Sequence, residues 1–293
     1  MKKLVTWIVE KHMFPEYEEQ LIAAIKKSGA ICYLFDDTDH LKFNFNKSIK
    51  SRFTNEDCTI FYGSLQRGRE IYTKTDFVPG IFLTIDNYEC YKYYGMFGKH
   101  LLNSSYRMMG FNDIKRWKSY FEINYEINKF FIRPSNGYKT FPGQIINTDN
   151  FDEDIEILSK SYGGIDTEQL IVVAPYKNIV KESRFAVING KVVDGCVYMM
   201  NGEKTEERII DDEALVFANI VLEKLPTDFP DPAYTLDVAY YDDADFGGEE
   251  GYRVIEINSL CCAGLYHMDK ELIVNAMNEL VIQKFNDFWN IKE

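Results

Sequence analysis

Three oxygen-bearing side chains near the end of the chain have types and spacing that can do chemistry: Asp237, Glu256 and Asn258. Asp237 lies in Leu236-Asp237-Val238-Ala239-Tyr240-Tyr241, and the other two in Tyr252-Arg253-Val254-Ile255-Glu256-Ile257-Asn258. Both runs read as strands. The Asp/Gly-rich stretch between them (Asp242, Asp243, Asp245, Gly247, Gly248) reads as the long loop of a β-hairpin. Side chains two apart on a strand leave the same face, so Glu256 and Asn258 point one way. With Asp237 on the neighbouring strand, the set suits a hard cation such as Mg²⁺, with substrate phosphates completing its shell. A solvated polar face on an antiparallel sheet fits the same spacing. Val254, Ile255 and Ile257 surround the pair with apolar residues, and ionised groups in such surroundings require a counter-charge.

Several cations could meet an anionic ligand. The loop 135–143 follows Arg133 and carries Lys139. Backbone N–H groups of such a loop can cradle phosphates, but taken alone the loop reads first as an ordinary hairpin tip. It is not a Walker loop, because the G-x-x-x-x-G-K-[ST] spacing is missing. Glu182 and Arg184 share one face of a strand. They can form an ion pair, worth only about 0–1 kcal/mol at a surface. Alternatively, Glu182 meets a ribose while the planar fork of Arg184 meets a phosphate or carboxylate. Spacing leaves both open. Arg67 and Arg69 follow the turn at Gly63-Ser64 and read as surface charge rather than as a substrate site. No Ser/His/Asp or Cys/His set is present. Cys261-Cys262 reads as packing in preference to a nucleophile.

The elements that must position these groups follow from pattern and punctuation. Strands are expected at 4–9, 30–35 and 58–62, with an amphipathic helix over 15–27 between Pro15 and Gly29. This βαβ rhythm predicts a small open α/β domain. Residues 88–128 read as mostly helical, with Asn112 or Asp113 as a cap. Strands at 129–134 and 144–147 form a hairpin, and 152–160 a helix. The apolar run 169–174 reads as a buried strand broken by Pro175. Asn189-Gly190 predicts a two-residue turn joining strands 184–188 and 191–198. Helices are expected at 212–225 and 269–289.

The chain of 293 residues has a formal charge of −13, with 20 Tyr and 21 Phe. Such a charge argues against general binding to nucleic acid or anionic membranes, but leaves room for a nucleotide in a local basic pocket. No signal peptide or bilayer-spanning run is visible, so a soluble protein is expected. Six scattered cysteines without C-x-x-C spacing suggest a reduced, cytoplasmic setting. The four histidines (His12, His40, His100, His267) lack zinc spacing.

Taken in order, the basic hairpin loop, broken buried strand, Glu-x-Arg hairpin ending at Tyr198, Asp, and Glu-x-Asn resemble the ATP-grasp superfamily. The resemblance covers about residues 128–265. The segments Tyr62-Gly63-Ser64, Phe97-Gly98-Lys99-His100-Leu101-Leu102-Asn103 and Glu182-Ser183-Arg184-Phe185 are similar to poorly characterised single-chain members found in bacteria and their phages. The resemblance implies an α+β ATP-grasp fold in which two α+β subdomains clamp ATP (106–293), preceded by a small α/β domain (1–105). It implies ATP and Mg²⁺ as cofactors. By it, Arg133 contacts phosphates, Lys139 lies in the covering loop, and Lys99 is the lysine of the first subdomain. Val173, Ala174, Tyr176 and Lys177 form the adenine hinge, and Glu182 holds the ribose. Asp237, Glu256 and Asn258 bind metal, and Gly264 matches the glycine that follows them.

Three departures stand out. Pro175 replaces the hinge's usual acidic residue, Thr235 stands where an Arg is common, and Cys262-Ala263 stands where Pro is frequent before the last Gly. The role of the missing Arg then falls to Arg184 or Arg253. The implied activity is an ATP-dependent carboxylate–amine ligase acting on a small-molecule, amino-acid or peptide substrate. The alternatives are a phosphotransferase on the same scaffold and a non-catalytic nucleotide-binding protein. Against the last stands the joint presence of Arg133, Lys139, Asp237, Glu256 and Asn258.

Overall fold

Four short strands near the start of the chain form a parallel sheet in the order β2-β1-β3-β4. They are β1 (Thr6–Glu10), β2 (Ile31–Phe35), β3 (Cys58–Tyr62) and β4 (Val78–Gly80). The computed structural model describes residues 3–38, 43–124, 128–161, 164–166, 168–242 and 250–291. Asp243, Asp245, Gly247 and Gly248 of the expected hairpin loop, and His40, lie outside these.

Parallel neighbours need a crossover, and α1 (Glu18–Lys27) supplies the first one. Its Leu21, Ala24 and Ile25 recur at helical spacing and are buried, so one face seals the sheet. The helix starts at Glu18 rather than at Pro15, because the Tyr17 amide turns back to the Phe14 carbonyl. α2 (Leu65–Lys74) follows β3 and is capped by the Ser64 hydroxyl, which accepts from the Arg67 amide. Arg67 itself corrects the surface-charge reading. It is buried, donating to Asp37 at 2.8 Å and Glu70 at 2.5 Å, while Arg69 is exposed.

A second sheet has the order β5-β8-β6-β7: β5 (Arg107–Gly110), β6 (Lys129–Pro134), β7 (Gln144–Asn147) and β8 (Leu170–Pro175). All its pairings are antiparallel. α3 (Cys90–Phe97) and α4 (Lys118–Asn124) precede it, and α5 (Phe151–Lys160) crosses from β7 to β8. The described residues of 88–128 are largely helical, as expected, with one interruption. A strand, β5, interrupts it, and residues 111–117 form a 3₁₀ helix after Gly110, with no capping bond from Asn112 or Asp113. The core beneath this sheet is aromatic, with Phe121, Phe130 and Phe151 in mutual contact.

The third sheet has the order β11-β10-β9-β12-β13. Its strands are β9 (Ile179–Ile188), β10 (Lys191–Met200), β11 (Glu203–Ile209), β12 (Ala233–Asp242) and β13 (Glu250–Ser259). Asn189 (φ 50) and Gly190 (φ 71) make the turn between β9 and β10, both left-handed as a type I′ turn requires. α6 (Asp212–Leu222) links β11 to β12. α7 (Lys270–Trp289), capped by Asp269, closes the chain and packs on α1, β3, β4 and β10.

Contacts divide the chain into two compact units. The first comprises residues 1–84, 182–237 and 256–293, and the second 85–181 and 238–255.

Gly195 on β10 shows how tightly the first unit is built. A Cβ there would lie 2.2 Å from the Phe185 ring and 3.2 Å from the Arg184 carbonyl. Gly195→Ala is expected to destabilise by about 1–3 kcal/mol through overpacking, read as a lower denaturation midpoint at unchanged slope.

Candidate functional site

β9 and β12 are neighbours in the sheet although 53 residues separate their facing side chains. That adjacency decides the fate of Arg184. Its Nε donates to Asp237 Oδ1 at 2.7 Å and its Nη2 to Asp237 Oδ2 at 2.6 Å, a bidentate pair. Arg184 is 7% exposed and Asp237 1%. A third donor, Nη1, reaches the Gly264 carbonyl at 3.2 Å. Arg184 is therefore not paired with Glu182, its neighbour on the strand face. Burial alone would lower the Arg184 pKa, but the Asp237 carboxylate outweighs it and holds the guanidinium well above its usual range.

Glu182 instead accepts from the Tyr198 hydroxyl at 2.5 Å. Its carboxyl is pushed up, first by burial and then by the charges of Asp237 and Glu256. The charges of Asp237 and Glu256 thus outweigh that of Arg184 in their action on Glu182. Protonation of Glu182 is favoured in the folded state, so its contribution to stability is full in acid and is lost as pH rises through the folded pKa. Glu182→Gln is expected to raise the melting temperature at neutral pH. The gain should close as pH falls below the ordinary carboxylate range, which melts across pH would show.

On β13, Asn258 Nδ2 donates to Glu256 Oε1 at 3.0 Å, which turns the amide oxygen away from that carboxylate. Glu256, Asn258 and Asp237 offer only oxygen to a cation, the donor type Mg²⁺ takes. Asp237 would share its oxygens with Arg184. Among the described residues no three His, Cys, Asp or Glu side chains are grouped to hold a metal by themselves. A Mg²⁺ here would therefore rest on two carboxylates, an amide and ligand oxygens. The charge and donor chemistry fit such an ion.

Residues that the sequence did not single out shape the loop beside this cluster. Leu265 N donates to Tyr17 OH at 2.8 Å, and Tyr17 and Tyr62 hydroxyls meet at 2.8 Å. Tyr62 OH in turn donates to the Ala263 carbonyl at 2.8 Å. Tyr266 has φ 43, an uncommon conformation for an aromatic residue, and stacks on Tyr198 at 4.7 Å and 8°. The Arg184 guanidinium lies 5.3 and 5.1 Å from the centroids of these two rings. Buried Lys270 donates to the Tyr266 and Met268 carbonyls, and burial lowers its pKa to about 8. With 20 tyrosines in the chain, nothing in the sequence marked Tyr17 and Tyr266, and Tyr62 stood out only as the first residue of Tyr62-Gly63-Ser64.

The second unit carries the other expected residues. Arg133 is buried on β6, close enough to Tyr94 for its charge to act on that phenol. Lys139 is exposed at φ 50, in a turn closed by its own amide and the Asn136 carbonyl. Lys99 is exposed in a 3₁₀ turn, and the segment just after it is anchored by Leu102 N donating to Val254 O at 2.8 Å. Val173 and Ala174 are fully buried in β8. The ladder from β8 to β5 ends at Val173–Arg107, while that to β6 continues to Pro175. On the β5 side, the backbone of Ala174, Tyr176 and Lys177 is thus outside that ladder. Asn178 and Asp242 exchange backbone and side-chain bonds at 3.0 and 3.1 Å and fix the end of this segment. Arg253 lies 5.5 Å from the Tyr241 ring centroid and donates to the Tyr252 carbonyl. The first unit thus gathers Glu182, Arg184, Asp237, Glu256 and Asn258. Lys99, Arg133, Lys139, Val173, Ala174, Tyr176, Lys177 and Arg253 belong to the second.

Residues 112–276 match the family model described as ATP-grasp domain, R2K clade family 2. No curated protein matches the chain in sequence. Among solved structures, the chain is similar to D-cycloserine synthetase DcsG, with a TM-score of 0.63 and 12% identity over 94% of this chain and 99% of that one. D-alanine–D-alanine ligase from Bacillus anthracis gives 0.58 and 12%, over 98% and 99%. The ATP-grasp ligase PsnB with a minimal precursor gives 0.54 and 13%, over 97% and 100%. These likenesses show the ATP-grasp fold.

Proposed function

The chain belongs to the R2K clade family 2 of ATP-grasp domains, and from that premise we propose that it is an ATP-dependent carboxylate–amine ligase. A substrate carboxylate oxygen attacks the γ-phosphorus, the bond to ADP breaks, and an acyl phosphate forms. An amine nitrogen then attacks the acyl carbon, phosphate leaves, and the amine's proton passes to solvent. The observation that carries this reading is the cluster of Arg184, Asp237, Glu182, Glu256 and Asn258 on adjacent strands, with no side-chain nucleophile among them.

Each residue has a role in this reading. Glu256, Asn258 and Asp237 hold Mg²⁺, which when bound neutralises phosphate charge. Arg184 contributes its positive field, since most of its fork is engaged by Asp237 and Gly264. A buried charge of this kind needs no reorganisation as negative charge develops. Glu182 accepts from the ribose. Lys99, Arg133, Lys139 and Arg253 meet phosphates or the acyl phosphate, and backbone at Val173, Ala174, Tyr176 and Lys177 reads the adenine. In this reading residues 1–105 form the preceding α/β domain and 106–293 the grasp. Two structural neighbours, a D-alanine–D-alanine ligase and the ATP-grasp ligase PsnB in complex with Mg and ADP, support the ligase reading.

Incubation with ATP, Mg²⁺ and a mixture of amino acids and peptides tests the proposal. ADP, phosphate and a new amide are expected. A stable phosphorylated product would replace this reading with a phosphotransferase.

A further inference from the structure

Two tyrosines from the start of the chain close a hydrogen-bond circuit on the loop that follows Glu256 and Asn258. Tyr17 sits just before α1, Tyr62 ends β3, and both are buried. The Leu265 amide can only donate, so Tyr17 OH accepts from it at 2.8 Å. The Ala263 carbonyl can only accept, so Tyr62 OH gives it its one proton, at 2.8 Å. Tyr62 has no second proton, so across the remaining 2.8 Å contact Tyr17 must donate to Tyr62. The direction of all three bonds is therefore fixed: Leu265 N–H to Tyr17, Tyr17 to Tyr62, Tyr62 to the Ala263 carbonyl. Burial pushes both phenols up, so each keeps its proton.

This relay begins and ends on the two peptide units that flank the Gly264 Cα. Leu265 N shares a planar trans peptide with the Gly264 carbonyl, so the N–H and the C=O point in opposite directions. Tyr17 therefore holds that plane from one side, while Arg184 Nη1 donates to its carbonyl at 3.2 Å from the other. Glycine has no side chain to restrict its backbone, so the orientation of this peptide depends on the bonds at its two ends. Arg184 is also the residue whose Nε and Nη2 grip Asp237. A continuous run of contacts thus leads from Tyr17, through one peptide and one guanidinium, to the Asp237 carboxylate.

We propose that Tyr17 and Tyr62 are positioning residues for Asp237: their relay sets the Gly264–Leu265 peptide, that peptide seats Arg184, and Arg184 orients the Asp237 oxygens for Mg²⁺. That Asp237 holds Mg²⁺ for ATP rests on the proposed function. Hydrogen bonds in a chain polarise one another, so a break at one link weakens the others. Tyr17→Phe removes the contact to the peptide itself and should act most strongly. Tyr62→Phe leaves Tyr17 in place but takes away its acceptor and unpairs the Ala263 carbonyl.

The test follows ATP binding to the full chain by calorimetry across Mg²⁺ concentrations, with no carboxylate or amine substrate present. Tyr17→Phe is expected to raise the Mg²⁺ concentration for half-maximal binding about tenfold, the lower end of what groups behind a metal ligand contribute. Tyr62→Phe should raise it about threefold, and the double variant about tenfold rather than the roughly thirtyfold of independent contacts, because both changes break one chain. Trp7→Phe is the stability control. Trp7 is buried on β1, donates to Asn278 at 2.8 Å and shares no bond with the relay, so its variant should melt lower at an unchanged Mg²⁺ requirement. An unshifted requirement in Tyr17→Phe, an equal shift in Trp7→Phe, or a double variant that multiplies the single effects would overturn the proposal. The expected shifts without amide formation on adding substrates would leave the positioning role standing and count against the ligase reading. Amide formation with an unshifted requirement would do the reverse. No Mg²⁺-dependent ATP binding by the unaltered chain would overturn both.

Discussion

Asp237→Ala is expected to abolish Mg-ATP turnover and to destabilise the protein by about 3–5 kcal/mol, as removal of one partner of a buried ion pair does. Arg184 would keep its charge at 7% exposure, with the carboxylate that took two of its donors gone. The two effects can be separated. Replacing both partners with Arg184→Met and Asp237→Leu removes the orphaned charge, so most of the lost stability should return. Turnover should not, because the oxygen donor and the guanidinium field are both missing. Chemical denaturation and phosphate release measured on the single and double variants check this. A double variant that regained activity would place the pair outside the chemistry.

Glu256→Gln is expected to lower turnover about 100-fold with almost no loss of stability. Losing one charged contact at a metal or transition-state charge has that size. The glutamine oxygen can still accept from Asn258 Nδ2, so the local bond at 3.0 Å can persist. The charge is what disappears, and with it one of the causes that raise Glu182. A higher Mg²⁺ requirement should accompany the slower rate. A titration of rate against Mg²⁺, with a melting curve as control, reads both.

Much of the fold was legible because its signals are local. β3, β6 and β7 run over the residues the pattern predicts, and the Asn189-Gly190 turn depends on two backbone conformations that those residue types favour. β5 was not legible: Arg-Met-Met-Gly is too short to show a period, and only pairing with β8 makes it a strand. β11 was missed for another reason, since its Glu-Lys-Thr-Glu-Glu-Arg-Ile has no apolar face. Arg67 looked like surface charge because its partner Asp37 is 30 residues away. The same limit applies at the site. Spacing along the strand left a Glu182–Arg184 pair open beside a ligand-binding role, whereas strand order joins Arg184 to Asp237 and leaves Glu182 to Tyr198. Side-chain partners across a sheet are set by topology, which spacing along one strand does not carry.

The most direct test follows oxygen. Amino acids or peptides labelled with ¹⁸O in their carboxyl groups are incubated with ATP, Mg²⁺ and the protein, and the released phosphate is weighed by mass spectrometry. An acyl phosphate transfers one carboxyl oxygen to phosphorus, so phosphate carrying a single ¹⁸O beside ADP is the predicted result. Phosphate without label, or label retained in a stable phosphorylated product, would contradict the ligase account.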